Sequence, residues 1–487
     1  MGTVHQFPVE RNQENPEPEH ALARALRLAV EAKVGADADF GKREAAALEL
    51  TNEATRLFLQ GELIAIARSH GEQVEVDGVI YKRHEPGTVK YYTLCGSLEI
   101  ERWTYREVGV HNGPTIVPLE LEAGLVERTS PALGYRITLG YSKDHMRSCE
   151  EDMKADHRCP PSRSTLERTA KAIGTEARRV APRIEARVRR AERVPEGAVA
   201  VSLGLDRTTV PMEEDRPEGQ EPATRRKKRT KPYERTKPAP VDVYYRMAYV
   251  GTIAFHDSYG DVLGTRRYSA AAHESPTDRV VRPIMADLHN ALKQAPELAV
   301  GVIQDGAPEL WNLVRPALQD EPLVSGWSEA IDRYHLNERL AEVLRLIEPD
   351  AAARSDQLSR WNDELDRNEY AIIRIRKRIS DSHADVVAGG DLELAEKLEP
   401  HLTYLQNNAD RMRYAHLGEV GLPVGSGVTE GACKSVIEMR TNGSGQRWRP
   451  KGLEAVLTLR STHLSDRLPR FWANFARGYR KEVSRCA

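Results

Sequence analysis

The chain has 487 residues, 40% of them hydrophobic and 30% charged, with a formal net charge of −2. That length exceeds what one core can organise and points to two or three domains, while the hydrophobic content excludes a wholly disordered chain. The near-neutral total gives no overall attraction for nucleic acid; an odd set of five scattered cysteines argues against a disulfide framework, and no apolar run approaches the roughly 18 residues of a membrane span.

Residues 1–20 are polar and Pro-containing, unlike a secretion signal, and read as a disordered tail. A reducing, cytoplasmic setting fits these features. Residues 21–128 read as a helical plus β-hairpin module. Leu22, Ala25, Leu26 and Ala29, then Ala47, Leu50, Ala54 and Leu57, recur at helical intervals. Tyr91–Leu94 and Leu98–Trp103 flank Cys95-Gly96-Ser97, a hairpin signal. Residues 129–195 turn helical again. Ser130-Pro131 opens one helix, Pro160-Pro161 separates a second from a third, and Ser162 or Ser164 caps the third. Two short helices before a basic one suit either a helix-turn-helix that reads DNA or a plain three-helix connector.

Residues 196–334 alternate strands and helices. Strands are predicted at 198–206, 243–256, 261–268, 298–304 and 329–333, with helices at 276–295 and 308–318. The loop between the first two strands carries Arg225, Arg226, Lys227, Lys228, Arg229 and Lys231. So long and basic a loop either binds DNA phosphates or is solvated. Residues 335–417 read as an all-helical insertion, with Trp361, Leu365, Ile372, Ile375 and Ile379 on helical faces. Its surface offers either a DNA or subunit contact, or a solvated helical hairpin. Residues 418–487 form a basic C-terminal part.

Three carboxylates stand out. Asp206 and Asp305 each follow an apolar β-type run, and Glu430 lies in the small-residue block Gly425-Ser426-Gly427-Val428-Thr429-Glu430-Gly431 as a helix begins. Two such aspartates and a helix-borne glutamate suit a pair of Mg²⁺ ions, with Mn²⁺ able to substitute, because both prefer hard oxygen ligands. Taken singly, each has a plainer reading as a turn or surface residue. Asp332 and His335 come next. Asp332 is either a helix cap or a carboxylate supporting the metal site, and His335 either a buried, hydrogen-bonded ring or a group that orients water or phosphate. Lys434, four residues after Glu430, either pairs with it or meets a phosphate. Arg447 and Trp448 offer either a cation and stacking plane for a displaced base, or a core anchor beside a surface charge. Glu213, Glu214 and Asp215, between Pro211 and Pro217, read as a solvated loop. No GxxxxGK[ST] phosphate loop is present, so no ATP use is expected, and Cys149, His157 and Cys159 fall short of a four-ligand zinc site.

Leu203-Gly204-Leu205-Asp206, Val302-Ile303-Gln304-Asp305-Gly306-Ala307, Asp332-Arg333-Tyr334-His335 and the block from Gly421 to Trp448 occur in this order, preceded by Tyr91–Gly96 and Ile100–Arg102. Over roughly residues 85–475 the chain resembles the DDE transposases of bacterial insertion sequences, ISKra-type branch. The resemblance implies an α/β, RNase H-like catalytic core interrupted by the helical insertion, with Asp206, Asp305 and Glu430 holding two divalent metals. It also implies cleavage and joining of DNA at terminal inverted repeats, insertion into target DNA, at least a dimer on DNA, and a bacterial, nucleoid-associated setting. Two other outcomes keep the same fold: a silent DNA-binding regulator, or a nuclease without strand transfer. One departure is plain: residues 1–94 hold no cysteine, so the zinc-binding N-terminus of some relatives has no counterpart.

Overall fold

The computed structural model describes residues 21–220 and 241–486. The tail 1–20 and the basic run Arg225–Lys231 lie outside the described residues. The chain is mixed α/β with two five-stranded sheets, and it divides into two compact units. The segment 129–195 is shared between them, the second unit taking Thr138–Asp144 and everything from Ala170 to Phe475. No described helix is long and apolar enough to cross a membrane.

The first unit opens with helices α1 (Ala21–Val34) and α2 (Phe40–Ser69), the latter capped by Asp39, whose side chain accepts from the Lys42 amide. Strands β1 (Gln73–Val76), β2 (Val79–Thr93), β3 (Gly96–Glu107) and β4 (Thr115–Ile116) follow. All pairings in this sheet are antiparallel. The predicted hairpin pairs Thr93 with Gly96 across Leu94 and Cys95, and Gly96, just after the turn, takes a positive φ of +119° that favours glycine. Leu98 and Ile100 point inward at alternate positions and bury with Leu63 of α2, Tyr91 and Leu119. Helix α3 (Pro118–Ala123) covers them, and Glu120 accepts the Tyr91 hydroxyl at 2.7 Å. Helices α4 (Pro131–Lys143), α5 (Met146–Ala155) and α6 (Arg163–Arg190) begin after the two proline signals.

The second unit is built on β5 (Ala200–Asp215), β6 (Val241–His256), β7 (Val262–Ala270), β8 (Ala299–Gln304) and β9 (Ser328–Ile331), in spatial order β7-β6-β5-β8-β9. The first three are antiparallel, and β5-β8 and β8-β9 are parallel. A π-turn at Thr277–Val281 leads into α7 (Arg282–Leu292), and α8 (Pro308–Gln319) connects β8 to β9. Residues 333–419 are helical throughout: α9 (Arg333–Ile347), α10 (Ala351–Arg367), α11 (Ala371–Ala388), α12 (Leu392–Asn408) and α13 (Tyr414–Glu419). Their apolar faces join the sheet's own core, with Trp361, Leu365, Ile375 and Leu405 in one cluster with Val201, Val302 and Trp311. The insertion is therefore no loose hairpin. The chain ends with α14 (Gly427–Ala432), a π-turn at Cys433–Glu438, α15 (Met439–Thr441), α16 (Pro450–Leu464) and α17 (Leu468–Arg477), after which β10 (Ser484–Arg485) pairs with β1 in the first unit.

One expectation is corrected here. Strand β5 does not stop at Asp206 but continues to Asp215, so Glu213, Glu214 and Asp215 lie on a strand paired with β6, not in a solvated loop. Pro211 does not break it, because its nitrogen faces away from β6: its carbonyl accepts from the Trp448 amide at 2.9 Å on the opposite side. The C-terminal basic part is also not all surface. Arg440, Arg460 and Arg467 are buried, the second donating to the Ser435, Ser142 and Lys143 carbonyls.

Candidate active site

The parallel ladder between β5 and β8 ends at Leu203 and Val302, and continuing that register sets Asp206 beside Asp305. Past the last rung the Leu205 amide donates to the Gln304 side chain at 3.3 Å, so a side chain takes over from the backbone where the strands part. Asp305 opens a turn into α8: its carboxylate accepts from the Ala307 amide at 2.8 Å and its carbonyl from Trp311 Nε1 at 3.0 Å. Asp206 accepts from the Arg207 amide at 2.7 Å.

Glu430 reaches this point because α14 lies directly on the sheet. A Cβ on Gly204 would run into the Thr429 hydroxyl and come within 2.8 Å of the Ile303 carbonyl, so only glycine admits the helix. Thr429 in turn shares a 2.7 Å hydrogen bond with Thr252 of β6. The loop before α14 is fixed by Asp332. This carboxylate is 2% exposed and accepts four hydrogen bonds. They come from the Tyr334 amide (2.6 Å), the His335 amide (3.2 Å), the Ser426 amide and the Ser426 hydroxyl (2.8 Å). Gly425 leaves room for it, an ideal Cβ there lying 3.3 Å from Asp332 Oδ2. The Ser426 hydroxyl also lies 2.9 Å from Glu430 Oε1. One hydroxyl proton serves two carboxylates, so one of them always lacks that donor.

The electrostatics single this place out. Burial pushes the Asp206 carboxyl above its ordinary range; the Arg207 amide and the Cys433 thiol oppose this, and the charges of Asp305 and Glu430 add to it. Burial, then Asp206, pushes the Cys433 thiol up, so it is a neutral donor to Asp206. Among the described residues no lysine or arginine pairs with Asp206, Asp305 or Glu430, and Arg207 turns instead to Glu309. His335 Nε2 lies 3.6 Å from Glu430 Oε1, and Asp332, His335 and Glu430 bring possible ligand atoms within 4.8 Å of one another.

A cluster of hard oxygens without a compensating cation suits a divalent metal such as Mg²⁺. Asp206, Asp305 and Glu430 offer such oxygens, although among the described residues it is Asp332, His335 and Glu430 whose possible ligand atoms lie within 4.8 Å of one another. Asp332 is already committed: three backbone amides donate to it and it shares the Ser426 hydroxyl, so it is a cap and latch. His335 is half-exposed, not the buried ring of the plainer reading, and faces Glu430. Lys434 is exposed and makes no ion pair among the described residues, so it does not pair with Glu430. Trp448 is pinned rather than free: Nε1 donates to the Thr441 carbonyl at 3.3 Å, its backbone bridges β5, and the Arg440 guanidinium lies 5.1 Å from its ring. Arg447 is exposed. Sequence reasoning missed Ser426, Thr429 and Cys433 as supports of the site. Ser426 had a readable signal, four residues before Glu430.

The chain matches no family model and no curated protein.

Proposed function

We propose that the chain is a DDE-type DNA transposase with an RNase H-like catalytic unit. One observation carries the reading: continuing the β5–β8 register sets Asp206 beside Asp305, the charges of Asp305 and Glu430 are both felt at Asp206, and among the described residues no lysine or arginine pairs with the three. The strand order β7-β6-β5-β8-β9, three antiparallel strands followed by two parallel ones, supports it as the order expected of an RNase H-like sheet. The resemblance over 85–475 supplies the choice of DNA over other phosphodiesters.

Two Mg²⁺ ions, or Mn²⁺ in their place, would supply Lewis acidity toward the attacking and leaving oxygens. Asp206, Asp305 and Glu430 would hold them. The chain's remaining contributions are positional. Asp332 fixes the Ser426 loop, Ser426 steadies Glu430, and His335 stands where it can donate to Glu430 or to a phosphate oxygen. Water is the nucleophile at the element end, and the freed 3′-hydroxyl is the nucleophile at target DNA. Two ends are brought together by at least two copies of the chain.

The test is an excision and integration assay in cells, using the gene with its native flanking DNA on a plasmid. Movement with the natural chain and none with Asp305→Asn is the expected result. Equal movement with both would overturn the assignment of the site. No movement with either, soluble protein being confirmed, would favour a silent DNA-binding regulator.

A further inference from the structure

Next to Asp305 a cleft of about 850 Å³ opens between α8, α9 and α12. That is within the ~300–1,000 Å³ typical of small-ligand sites. Its lining groups divide sharply. Trp311, Arg315 and Arg411 are engaged with the protein itself. Trp311 donates to the Asp305 carbonyl, and Arg315 and Arg411 both bind Glu329, at 2.7 and 3.1 Å, while stacking on the Trp311 ring. Arg339, Tyr404, Asn312 and Asn407 are not engaged in this way. The half-buried Arg339 guanidinium lies 3.9 Å from the Tyr404 ring centroid. Among the described residues its nitrogens make no hydrogen bond or ion pair, and neither do the Tyr404 hydroxyl nor the two asparagine amides. Gly306 is what lets Tyr404 approach the turn after Asp305, since a Cβ there would lie 3.0 Å from the tyrosine hydroxyl.

We propose that this cleft takes one unpaired nucleotide of the DNA strand that passes the carboxylates. The proposal rests on the DNA-cutting reading above. The Arg339–Tyr404 stack offers a flat cationic face, and bases freed from a duplex stack on such guanidinium planes and on aromatic rings. Asn312 and Asn407 offer both donors and acceptors to a base edge. A paired base has its edge and faces already occupied and gains nothing here. Spacing agrees as well. His335 and Arg339 are four residues apart on α9, so Arg339 sits about one turn, roughly 5.4 Å, beyond the side chain that faces Glu430. A strand with a phosphate at the carboxylates would therefore present a neighbouring nucleotide at Arg339.

The experiment uses the full chain without divalent ions and two fluorescent probes, a 20-nucleotide oligothymidylate and a 20-base-pair duplex, read by anisotropy. Tyr404→Ala and Arg339→Ala should each weaken oligothymidylate binding by about tenfold, with duplex binding changed by less than about twofold. Tyr404→Phe should bind as the natural chain does, and it guards against loss of fold. Arg339→Lys should restore little, because it keeps the charge and loses the plane. Unchanged oligothymidylate binding in both alanine variants, or equal loss for both probes, would overturn the proposal. Mn²⁺-dependent plasmid nicking, lost in Asp305→Asn, is measured alongside. Nicking with an unaffected cleft variant sinks only the cleft, whereas a natural chain that neither nicks nor binds either probe sinks both readings.

Discussion

Two acidic clusters in the second unit have opposite surroundings. Below α7, Glu192 and Asp287 are met by Arg467, Arg189 and Arg266. Arg467 donates to Glu192 at 2.8 and 2.6 Å and to both Asp287 oxygens at 3.0 Å, and Arg266 reaches Glu192 at 2.8 Å. Burial alone would raise the Glu192 carboxyl, but Arg467 and then Arg266 overcome it and hold it at about 2. Across the sheet Asp206 is pushed the other way, by burial and by like charges. Compensated acids hold the fold together. Uncompensated acids cost stability, and a fold that keeps them has kept them for something else.

That contrast can be broken from either side. The largest effect is expected at the compensated cluster. Arg467→Ala strands two buried carboxylates and should cost about 3–5 kcal/mol in a urea melt. A loss below about 1 kcal/mol would mean that solvent enters and the cluster is not structural. At the other cluster, Glu430→Gln should leave the melt unchanged and reduce metal-dependent nicking at least about a hundredfold, with DNA binding nearly intact. Nicking at the natural rate in that variant would remove Glu430 from the site. Ser426→Ala comes next. It should lower Mn²⁺ affinity about tenfold in a calorimetric titration, as the loss of a ligand's supporting hydrogen bond does, and unchanged affinity would reduce Ser426 to a loop residue.

The smallest effect is in pH, and its two signs differ. Glu192 is lowered from an ordinary 4.5 to about 2, so its stabilisation is full above the upper value and is lost as pH falls through that window. Asp206 is raised, so in the metal-free protein its own contribution is most favourable below the ordinary carboxylate value and is lost as pH rises from there through its folded value. Asp206→Asn should remove the second slope and keep the first. A thermal melt of that variant across pH 2–7 with the natural slope at both ends would contradict the account of Asp206.

Much of this was legible in the sequence, and the failures share a cause. The 93–96 hairpin, the strand ending before Asp305 and the helices of 335–417 each follow from local periodicity and turn chemistry. Strand β5 was cut short because Pro211 reads locally as a stop, and only its partner, Trp448, shows which side of the strand lacks a donor. Of the two readings of Lys434, pairing with Glu430 is not made, and only the three-dimensional arrangement could tell. The burial of Arg440, Arg460 and Arg467 was not legible, because nothing local reveals the groups that meet them, such as the Ser435 carbonyl at Arg460 and the Asp287 carboxylate at Arg467. The three acids were read together from the sequence, but what lays the helix of Glu430 on the sheet, Gly204 opposite Thr429, is a contact between distant segments that no local pattern shows.

The order of the site along the chain has a consequence for synthesis. Asp206 on β5 and Asp305 just past the end of β8 belong to neighbouring strands that can pair as soon as β8 leaves the ribosome, but Glu430 follows 125 residues later (430 − 305). At about 5–20 residues per second, the chain spends roughly 6–25 s with two acids in place and the third not yet made. On the proposed function, a nascent chain close to its own gene lacks the full metal-binding set throughout that interval, and cutting starts only once α14 has settled onto Gly204.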